Sequence, residues 1–189
     1  MTRPRPPPIL RRSVLRLAAS LLLPAGAPVR AQDTALASAV KAAYIPKFVP
    51  FVAWPGEALY DPAGAVSICV VGADPFGDLL DRVIAGQTIA GHPIVVHRLR
   101  TVSRASDCQI LFAGGSADQS VADILAAVRG TPVLTMTDDA HDPQSRGIIN
   151  FIISGNRVRF EIDQDAAAAN GLSVSSKLLS LATRVLGRG

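Results

Sequence analysis

Apolar and polar side chains alternate strictly along residues 157–163, which is the period of a β-strand with one buried face. The preceding run, residues 148–153, is β-branched and aromatic. Between the two runs, Ser154-Gly155-Asn156 has the composition of a tight turn. The pattern therefore predicts a β-hairpin over residues 148–162.

The pairing within this hairpin follows from its turn, because counting outward from a two-residue Gly155-Asn156 loop fixes which residues face each other. The pairs on one face are wholly apolar: Ile153–Val158, Phe151–Phe160 and Ile149–Ile162. The pairs on the other face are mixed: Ile152–Arg159 and Asn150–Glu161, with Ile148 near Asp163. The mixed face is a candidate contact surface, since isoleucines are unusual on a solvated face and unpaired charges are unusual in a sealed core. The alternative is that loops or a helix cover it.

Helical periodicity returns near the C-terminus, where Ser173 or Ser175 can cap a helix. Apolar residues then follow at helical spacing, namely Leu178, Leu181, Ala182, Val185 and Leu186. Gly187 can end the helix. The pattern predicts a C-terminal helix that packs against the apolar face of the hairpin.

The middle of the chain alternates strand-like and helix-like segments. The predicted strands are 66–71, 108–112 and 132–136, the predicted helices are 77–85 and 118–129, and an extended arm over 88–99 is interrupted at Gly91-His92-Pro93. Such alternation is typical of an α/β fold with parallel strands. The prediction is a single-domain α/β sandwich with a largely parallel central sheet, an edge β-hairpin (148–162) and a C-terminal helix.

Aromatic residues cluster after a predicted helix over residues 34–45, which Pro46 and Pro50 bend or end. The cluster consists of Phe48, Phe51 and Trp54. One interpretation is a patch that stacks a ligand or docks a partner. The favoured interpretation is that these rings anchor the kinked segment in the core, because a buried indole contributes a large apolar area.

The first 31 residues have the organisation of a secretory signal peptide. Residues 1–12 are rich in Arg and Pro, residues 14–23 form an apolar run too short to span a bilayer, and Val29-Arg30-Ala31 suits cleavage before Gln32. The Arg-Arg pair at 11–12 also resembles a twin-arginine export signal, although the general secretory route is favoured. We expect residues 1–31 to be the signal peptide and residues 32–189 to be one periplasmic domain.

Export changes the charge of the chain. Six arginines and no acids lie in residues 1–31, so 19 bases less 6 leaves 13 against 15 acids, a net charge of −2. The basic character therefore belongs to the predicted signal and gives no support for nucleic-acid binding.

Two cysteines, Cys69 and Cys108, lie in consecutive predicted βα units. An even number of cysteines in an exported protein favours a disulfide. Metal binding would call for more ligands at closer spacing, and a redox pair is more often Cys-x-x-Cys. We predict a structural bridge between them.

Candidate catalytic and metal-binding patterns are weak. Gly72 and Gly77 have the outer spacing of a phosphate loop, but no Lys-Ser/Thr follows and Pro75 removes an amide donor. The acidic loop 138–142 could hold a divalent cation, but a solvated loop is the favoured interpretation. No serine or cysteine nucleophile has a recognisable partner. We therefore expect a protein that is not an enzyme and uses no cofactor or metal.

Several segments together resemble one family. They are Lys41-Ala-Ala-Tyr44, Lys47-Phe48 with Phe51-Val-Ala-Trp54-Pro55, Ile68–Gly72 with Asp74–Gly77, Cys108–Phe112, Gly147–Phe151, Val158–Ile162 and Ser176–Ala182. Their order over nearly the whole mature chain resembles the YfiR family of periplasmic regulators. The resemblance implies a non-catalytic α/β protein that binds the periplasmic sensor part of a YfiN-like membrane diguanylate cyclase and represses it. Release of the cyclase would raise cyclic-di-GMP and favour biofilm.

The resemblance also suggests partner-binding residues. It assigns Phe151, Glu161 and Ile162 to the repressing surface, and the mixed face of the hairpin adds Asn150 and Arg159. Because the predicted register turns Phe151 toward the core, its substitution would act by loosening the hairpin. Some relatives carry a second cysteine pair near the hairpin, which is absent here.

A different class of function stays open at this stage. The chain could be a periplasmic small-molecule-binding protein, using Trp54, Phe48, Phe51 and the carboxyl ends of the sheet as its pocket. Contact with the membrane is expected only through the partner. The oligomeric state is also open, a homodimer included.

Overall fold

The computed structural model describes residues 29–61 and 63–187, and it gives no side-chain description for residues 29–32. Most of the predicted signal peptide, residues 1–28, lies outside this range. The predicted cleavage point before Gln32 falls within the first turn of the first described helix. Among the described residues, no helix is both long and apolar enough to cross a bilayer.

Within the described ranges, helices and strands alternate as the sequence predicts. The helices are α1 (Val29–Phe48), α2 (Asp78–Ile84), α3 (Val121–Val128), α4 (Gln164–Ala169) and α5 (Ser176–Leu179). The strands are β1 (Val52–Ala53), β2 (Val66–Gly72), β3 (Thr88–Ile89), β4 (His92–Leu99), β5 (Ile110–Gly115), β6 (Leu134–Asp138), β7 (Ile149–Ser154), β8 (Arg157–Asp163), β9 (Ser173–Val174) and β10 (Arg184–Leu186). Two short 3₁₀ turns occupy Val49–Phe51 and Pro143–Ser145.

The central sheet has eight strands in the order β10-β8-β7-β6-β5-β2-β4-β3. All neighbouring pairs are parallel except the β7–β8 and β3–β4 hairpins. Parallel neighbours need crossover connections, and α2 and α3 supply two of them. The predicted α/β fold with a largely parallel sheet is therefore confirmed, with the hairpin near one edge.

The period of two along the central strands divides the core between the two faces of the sheet. In β2, Ile68 and Val70 belong to the larger apolar cluster, which includes residues of α1 and α2. Their neighbours Cys69 and Val71 belong to a second cluster, which includes residues of α3. The near-continuous apolar sequence of β2 thus reflects burial on both faces.

The β7–β8 hairpin has the predicted register, with Phe151 opposite Phe160 and Asn150 opposite Glu161. Its loop is Gly155-Asn156, and both residues have positive φ, 56° and 58°. This is the requirement of a two-residue type I′ turn, which matches the twist of the flanking strands. Turn chemistry and alternation together were enough to fix the pairing.

The C-terminal helix is present but shorter than predicted. Ser175 caps α5 by accepting a hydrogen bond from the amide of Leu178, as expected, but the helix ends at Leu179. Residues 184–186, predicted to be helical, form strand β10 parallel to β8. The hairpin leaves the outer edge of β8 with unpaired backbone groups, and β10 satisfies them at the expense of a continued helix.

The two proline-containing segments also differ in detail from the predictions. Helix α1 accommodates Pro46 in its last turn and ends at Phe48, while Pro50 lies in the following 3₁₀ turn. The predicted interruption of the extended arm falls at Ala90-Gly91, which have positive φ, whereas His92-Pro93 belong to β4. The turn therefore lies slightly earlier than the glycine-proline pattern suggested.

Candidate functional site

The apolar face of the hairpin packs on the last turns of α1 through aromatic rings. The ring centroids of Phe48 and Phe160 lie 5.1 Å apart at a steep angle, and those of Phe48 and Phe151 lie 6.0 Å apart. Tyr44 stacks on Phe48 at 5.7 Å and meets the edge of Phe160. These contacts fix the hairpin to α1.

Glu161 lies in the middle of the mixed face and is only 7% exposed. Its Oε1 accepts from the guanidinium of Arg184 at 2.7 Å, and Arg146 lies 3.8 Å from its Oε2. Asn150 also donates to Oε2, at 3.4 Å. A buried carboxylate is tolerated when cations and donors compensate it, and here they come from three separate segments.

Asn150 connects the same face to the loop that follows β6. Its side-chain oxygen accepts from the hydroxyl of Thr137 and from the amide of Ala140, each at 3.0 Å. Its amide nitrogen donates to the carbonyl of Ala140 at 3.3 Å. This half of the mixed face is therefore covered, by the loop that follows β6 and by the side chains of Arg146 and Arg184.

The five predicted partner-binding residues differ in accessibility. Phe151, Ile162, Asn150 and Glu161 are all buried within the chain, whereas Arg159 is exposed. Ile162 lies between its strand partners Ile149 and Val185, as part of the sheet. A role for these residues in partner binding stays a prediction, and for the buried ones such a role would act through the shape of the hairpin.

An open groove separates the first half of α1 from the tip of the hairpin. We call it the α1–hairpin groove, and its volume is about 580 Å³. Its lining includes Leu36, Val40 and Tyr44 from α1, and Ile153, Arg157 and Arg159 from the hairpin. Leu36 is 66% exposed and Ile153 is 52% exposed, so apolar side chains on both sides face solvent.

The sequence pattern did not identify this groove. Leu36 has helical spacing with Val40 and Tyr44, which are only half-buried, and Ile153 belongs to the apolar face of the hairpin, so periodicity predicted burial for both. The hairpin tip and the first turns of α1 extend past the residues that bury each other. Only the relative placement of the two elements shows that their apolar ends stay uncovered.

A partly buried ion pair holds α1 at the inner end of this groove. The Nζ of Lys41 lies 2.5 and 2.7 Å from the two carboxylate oxygens of Asp138, and the lysine side chain is only 9% exposed. Asp138 is the last residue of β6 and lies opposite Phe151 in the β6–β7 pairing. The pair therefore ties the helix to the carboxyl end of the sheet beside the hairpin.

The two cysteines form the predicted bridge. Cys69 of β2 and Cys108, just before β5, are joined in a disulfide with a Cα–Cα distance of 5.7 Å. Both belong to the apolar cluster on the α3 face of the sheet. The bridge therefore secures neighbouring strands in the core, on the face of the sheet opposite α1.

The predicted aromatic ligand patch is engaged in packing. Phe48 is buried, and the indole N–H of Trp54 donates to the carbonyl of Pro132 at 3.0 Å. The Nζ of Lys177 lies 5.6 Å above the ring of Phe51. A cavity of about 560 Å³ does exist at the carboxyl ends of β2, β5 and β6, but these aromatic residues do not line it. Trp54 lies near the opposite ends of the strands, beside the residues that precede β6.

The acidic loop uses its side chains locally. Asp138 is paired with Lys41, and Asp142 caps the 3₁₀ turn by accepting from the amide of Gln144. His141 and Asp139 remain largely exposed. Over residues 29–61 and 63–187, no group of three or more His, Cys, Asp or Glu side chains has an arrangement that could hold a metal ion.

A separate surface cluster has the clearest electrostatic perturbation. Arg98 of β4 bonds Asp81 of α2 at 2.5 Å and Asp74 at 2.8 Å. The hydrogen bond from Arg98 lowers the pKa of Asp81, and those to both carboxylates raise the pKa of Arg98. This cluster joins α2 to the sheet and lies outside the groove.

A family model described as YfiR/HmsC-like matches residues 38–183, which is more than half of the chain. The chain belongs to the YfiR family. At the level of the family, its members are periplasmic regulators connected with membrane diguanylate cyclases rather than catalysts. The match includes the second half of α1, the whole β7–β8 hairpin and α5, whereas Leu36 and the start of α1 precede it.

Proposed function

We propose that this chain is exported to the periplasm, binds the periplasmic sensor domain of a membrane diguanylate cyclase and thereby represses cyclic-di-GMP synthesis. Membership of the YfiR family supports the class of partner. The observation that carries the proposal at residue level is the rigid attachment of the hairpin. Aromatic packing fixes one of its faces and a compensated carboxylate fixes the other.

The predicted repressing residues fit this function as supports of the hairpin. Phe151 secures the apolar face to α1, and Glu161 secures the mixed face to the chain segments on both sides of it. Ile162 belongs to the main apolar core, as does Ile149, its partner on the neighbouring strand β7. Substitution of any of them would alter the surface that the hairpin presents, without these side chains touching the partner.

Repression then follows from a difference in affinity. A regulator that binds the inactive conformation of the sensor better than the active one shifts the population toward the inactive state. A protein that binds both conformations equally would change nothing. The chain supplies no chemistry in this scheme and needs no cofactor.

The export component has a direct test of its own. If residues 1–31 are a cleaved signal, the protein recovered from the periplasm begins at Gln32 and the cytoplasmic precursor begins at Met1. Mass spectrometry of the intact protein from each compartment distinguishes the two. An uncleaved chain confined to the cytoplasm would contradict the proposal.

Deletion of the gene tests repression. We expect cyclic-di-GMP, measured by mass spectrometry of cell extracts, to rise in the deletion strain and to return to its original level when the wild-type chain is restored. Removal of the responsible membrane cyclase in the same strain should abolish the rise. An unchanged cyclic-di-GMP level after deletion would overturn the proposed function.

A further inference from the structure

We propose that the α1–hairpin groove is the surface that docks the periplasmic domain of the cyclase, and that it receives an exposed segment in which apolar side chains stand next to carboxylates. This inference rests on the proposed function and assigns the contact to a place on the molecule. The partner contact is assigned to residues at the tip of the hairpin and on the facing part of α1, in place of the buried residues of the hairpin.

Large apolar side chains are exposed on both sides of the groove. Leu36 and Ile153 are among the most exposed large apolar side chains of the described residues, at 66% and 52%. They line one concave surface with Val40, Tyr44 and Val158. Apolar side chains that share an open groove favour a protein contact, whereas isolated exposed ones need no explanation.

The charges around the groove define what the partner should carry. Arg157 and Arg159 line the hairpin side and are exposed, and neither forms an ion pair within residues 29–61 and 63–187. At the inner end, Lys41 and Asp138 neutralise each other. Asp33 adds one negative charge on the helix side. By the alternation of β8 both arginines lie on the face of the strand opposite Val158, so the rim of the groove at the hairpin tip carries two guanidinium groups that suit carboxylates on the partner.

The structure also explains why buried residues could control this surface. Phe48 contacts both Phe151 and Phe160, and these rings set the distance between α1 and the hairpin. The Lys41–Asp138 pair sets the position of the same helix against the sheet. The width of the groove thus depends on the buried rings of Phe48, Phe151 and Phe160 and on the ion pair at its inner end.

A second exposed apolar position provides the matched control. Leu181, which follows α5, is 62% exposed and does not line the groove. It is comparable to Leu36 in chemistry and in exposure. A contact that depended only on exposed leucine would not distinguish the two positions.

The test is site-specific photo-cross-linking in living cells, with the full chain expressed from its own gene. A benzophenone amino acid is placed at Leu36, at Ile153 or at Leu181, and cross-linked products are identified by mass spectrometry. We expect the membrane cyclase in the products from positions 36 and 153, and at most a trace from position 181. Products containing the cyclase from position 181 alone would overturn the groove assignment.

Charge variants give an independent readout with the purified proteins. The probe is the periplasmic domain of the cyclase whose removal abolishes the cyclic-di-GMP rise of the deletion strain. We expect the Arg157→Glu/Arg159→Glu double variant to raise Kd at least tenfold and to reduce the salt dependence of binding. The Leu36→Asp variant should also raise Kd at least tenfold, while Leu181→Asp should leave it within about twofold. Thermal unfolding of each variant shows that the fold is retained.

The possible results separate the two proposals. If deletion raises cyclic-di-GMP but the groove variants bind like the wild type, the groove assignment is wrong and the proposed function stands. If positions 36 and 153 cross-link to a second copy of this chain and not to the cyclase, the groove is a homodimer interface and the assignment is again wrong. If deletion leaves cyclic-di-GMP unchanged, the proposed function itself fails.

Discussion

Replacing Phe151 by alanine removes the aromatic ring that joins strand β7 to helix α1. The side chain is fully buried, lies opposite Phe160 across the hairpin and packs 6.0 Å from the ring of Phe48. The structure assigns it no exposed atoms with which to contact a partner. We therefore expect any effect of Phe151→Ala on repression to come from a loosened hairpin and not from the loss of a direct contact with the partner.

The size of the perturbation can be estimated from burial. Truncation of a buried phenylalanine to alanine lowers the free energy of unfolding by about 3–5 kcal/mol. Domains of this size are stable by roughly 5–15 kcal/mol, so the variant should fold but with a loosened hairpin. Phe151→Leu keeps most of the volume and should lower the free energy by only about 1–1.5 kcal/mol.

Two measurements test this chain of effects. Urea unfolding gives the free energy for each variant, and hydrogen exchange gives the protection of the amides of residues 149–163. Phe112→Ala is the matched control, because Phe112 is also buried, packs against Phe76 at 4.7 Å and belongs to a different strand. It should lower the free energy of unfolding comparably while hairpin protection and repression are retained.

The reasoning would be refuted by a particular combination of results. If Phe151→Ala kept full hairpin protection and near wild-type stability yet lost affinity for the cyclase, the ring would act by direct contact. The buried position of Phe151 would then not be the functional one.

Three further predictions concern the charges and the bridge. Glu161→Gln leaves its two arginine partners without their carboxylate and should lower the free energy of unfolding by about 2 kcal/mol in a urea titration. An unchanged midpoint of unfolding would show that solvent already screens the charges of Glu161 and its arginine partners. Replacing both Cys69 and Cys108 by alanine should cost about 4 kcal/mol on the chain-entropy model, and equal stability of the oxidised wild type and this variant would contradict a structural role for the bridge. The pKa of Asp81 is lowered by its bond from Arg98, so its stabilising effect is present above the ordinary value of 3.8 and is lost as the pH falls through the folded pKa. Asp81→Asn should therefore flatten the acid side of the stability curve, and an unaltered acid side would count against this linkage.

The features that the sequence predicted well are those set by local pattern. Strict alternation and a Gly155-Asn156 loop determine the hairpin register, since a slip by one residue would expose the whole apolar face. The strand-helix alternation predicted the parallel sheet, and two cysteines in a chain predicted to be exported indicated the bridge. The hairpin register in particular is set by a short stretch of sequence that carries its own physical constraint.

The features that the sequence did not predict depend on which parts of one element the neighbouring elements leave uncovered. Leu181 and Val185 have helical spacing, which predicted a helix. Residues 184–186 instead form a strand, because they pair with the otherwise open edge of β8. The cover over Asn150 comes from a loop whose sequence has no periodic pattern. The α1–hairpin groove exists because two amphipathic elements overlap only in part, which no single element encodes.

Reconstituted cyclase activity tests the central claim most directly. The full-length membrane cyclase, placed in lipid vesicles, is assayed for cyclic-di-GMP formation while the purified mature chain is titrated on the side of the sensor domain. The account predicts saturable inhibition by the wild type and by Leu181→Asp, with Leu36→Asp requiring at least about tenfold more protein. Cyclase activity that stays constant at saturating amounts of the wild-type chain would contradict the account.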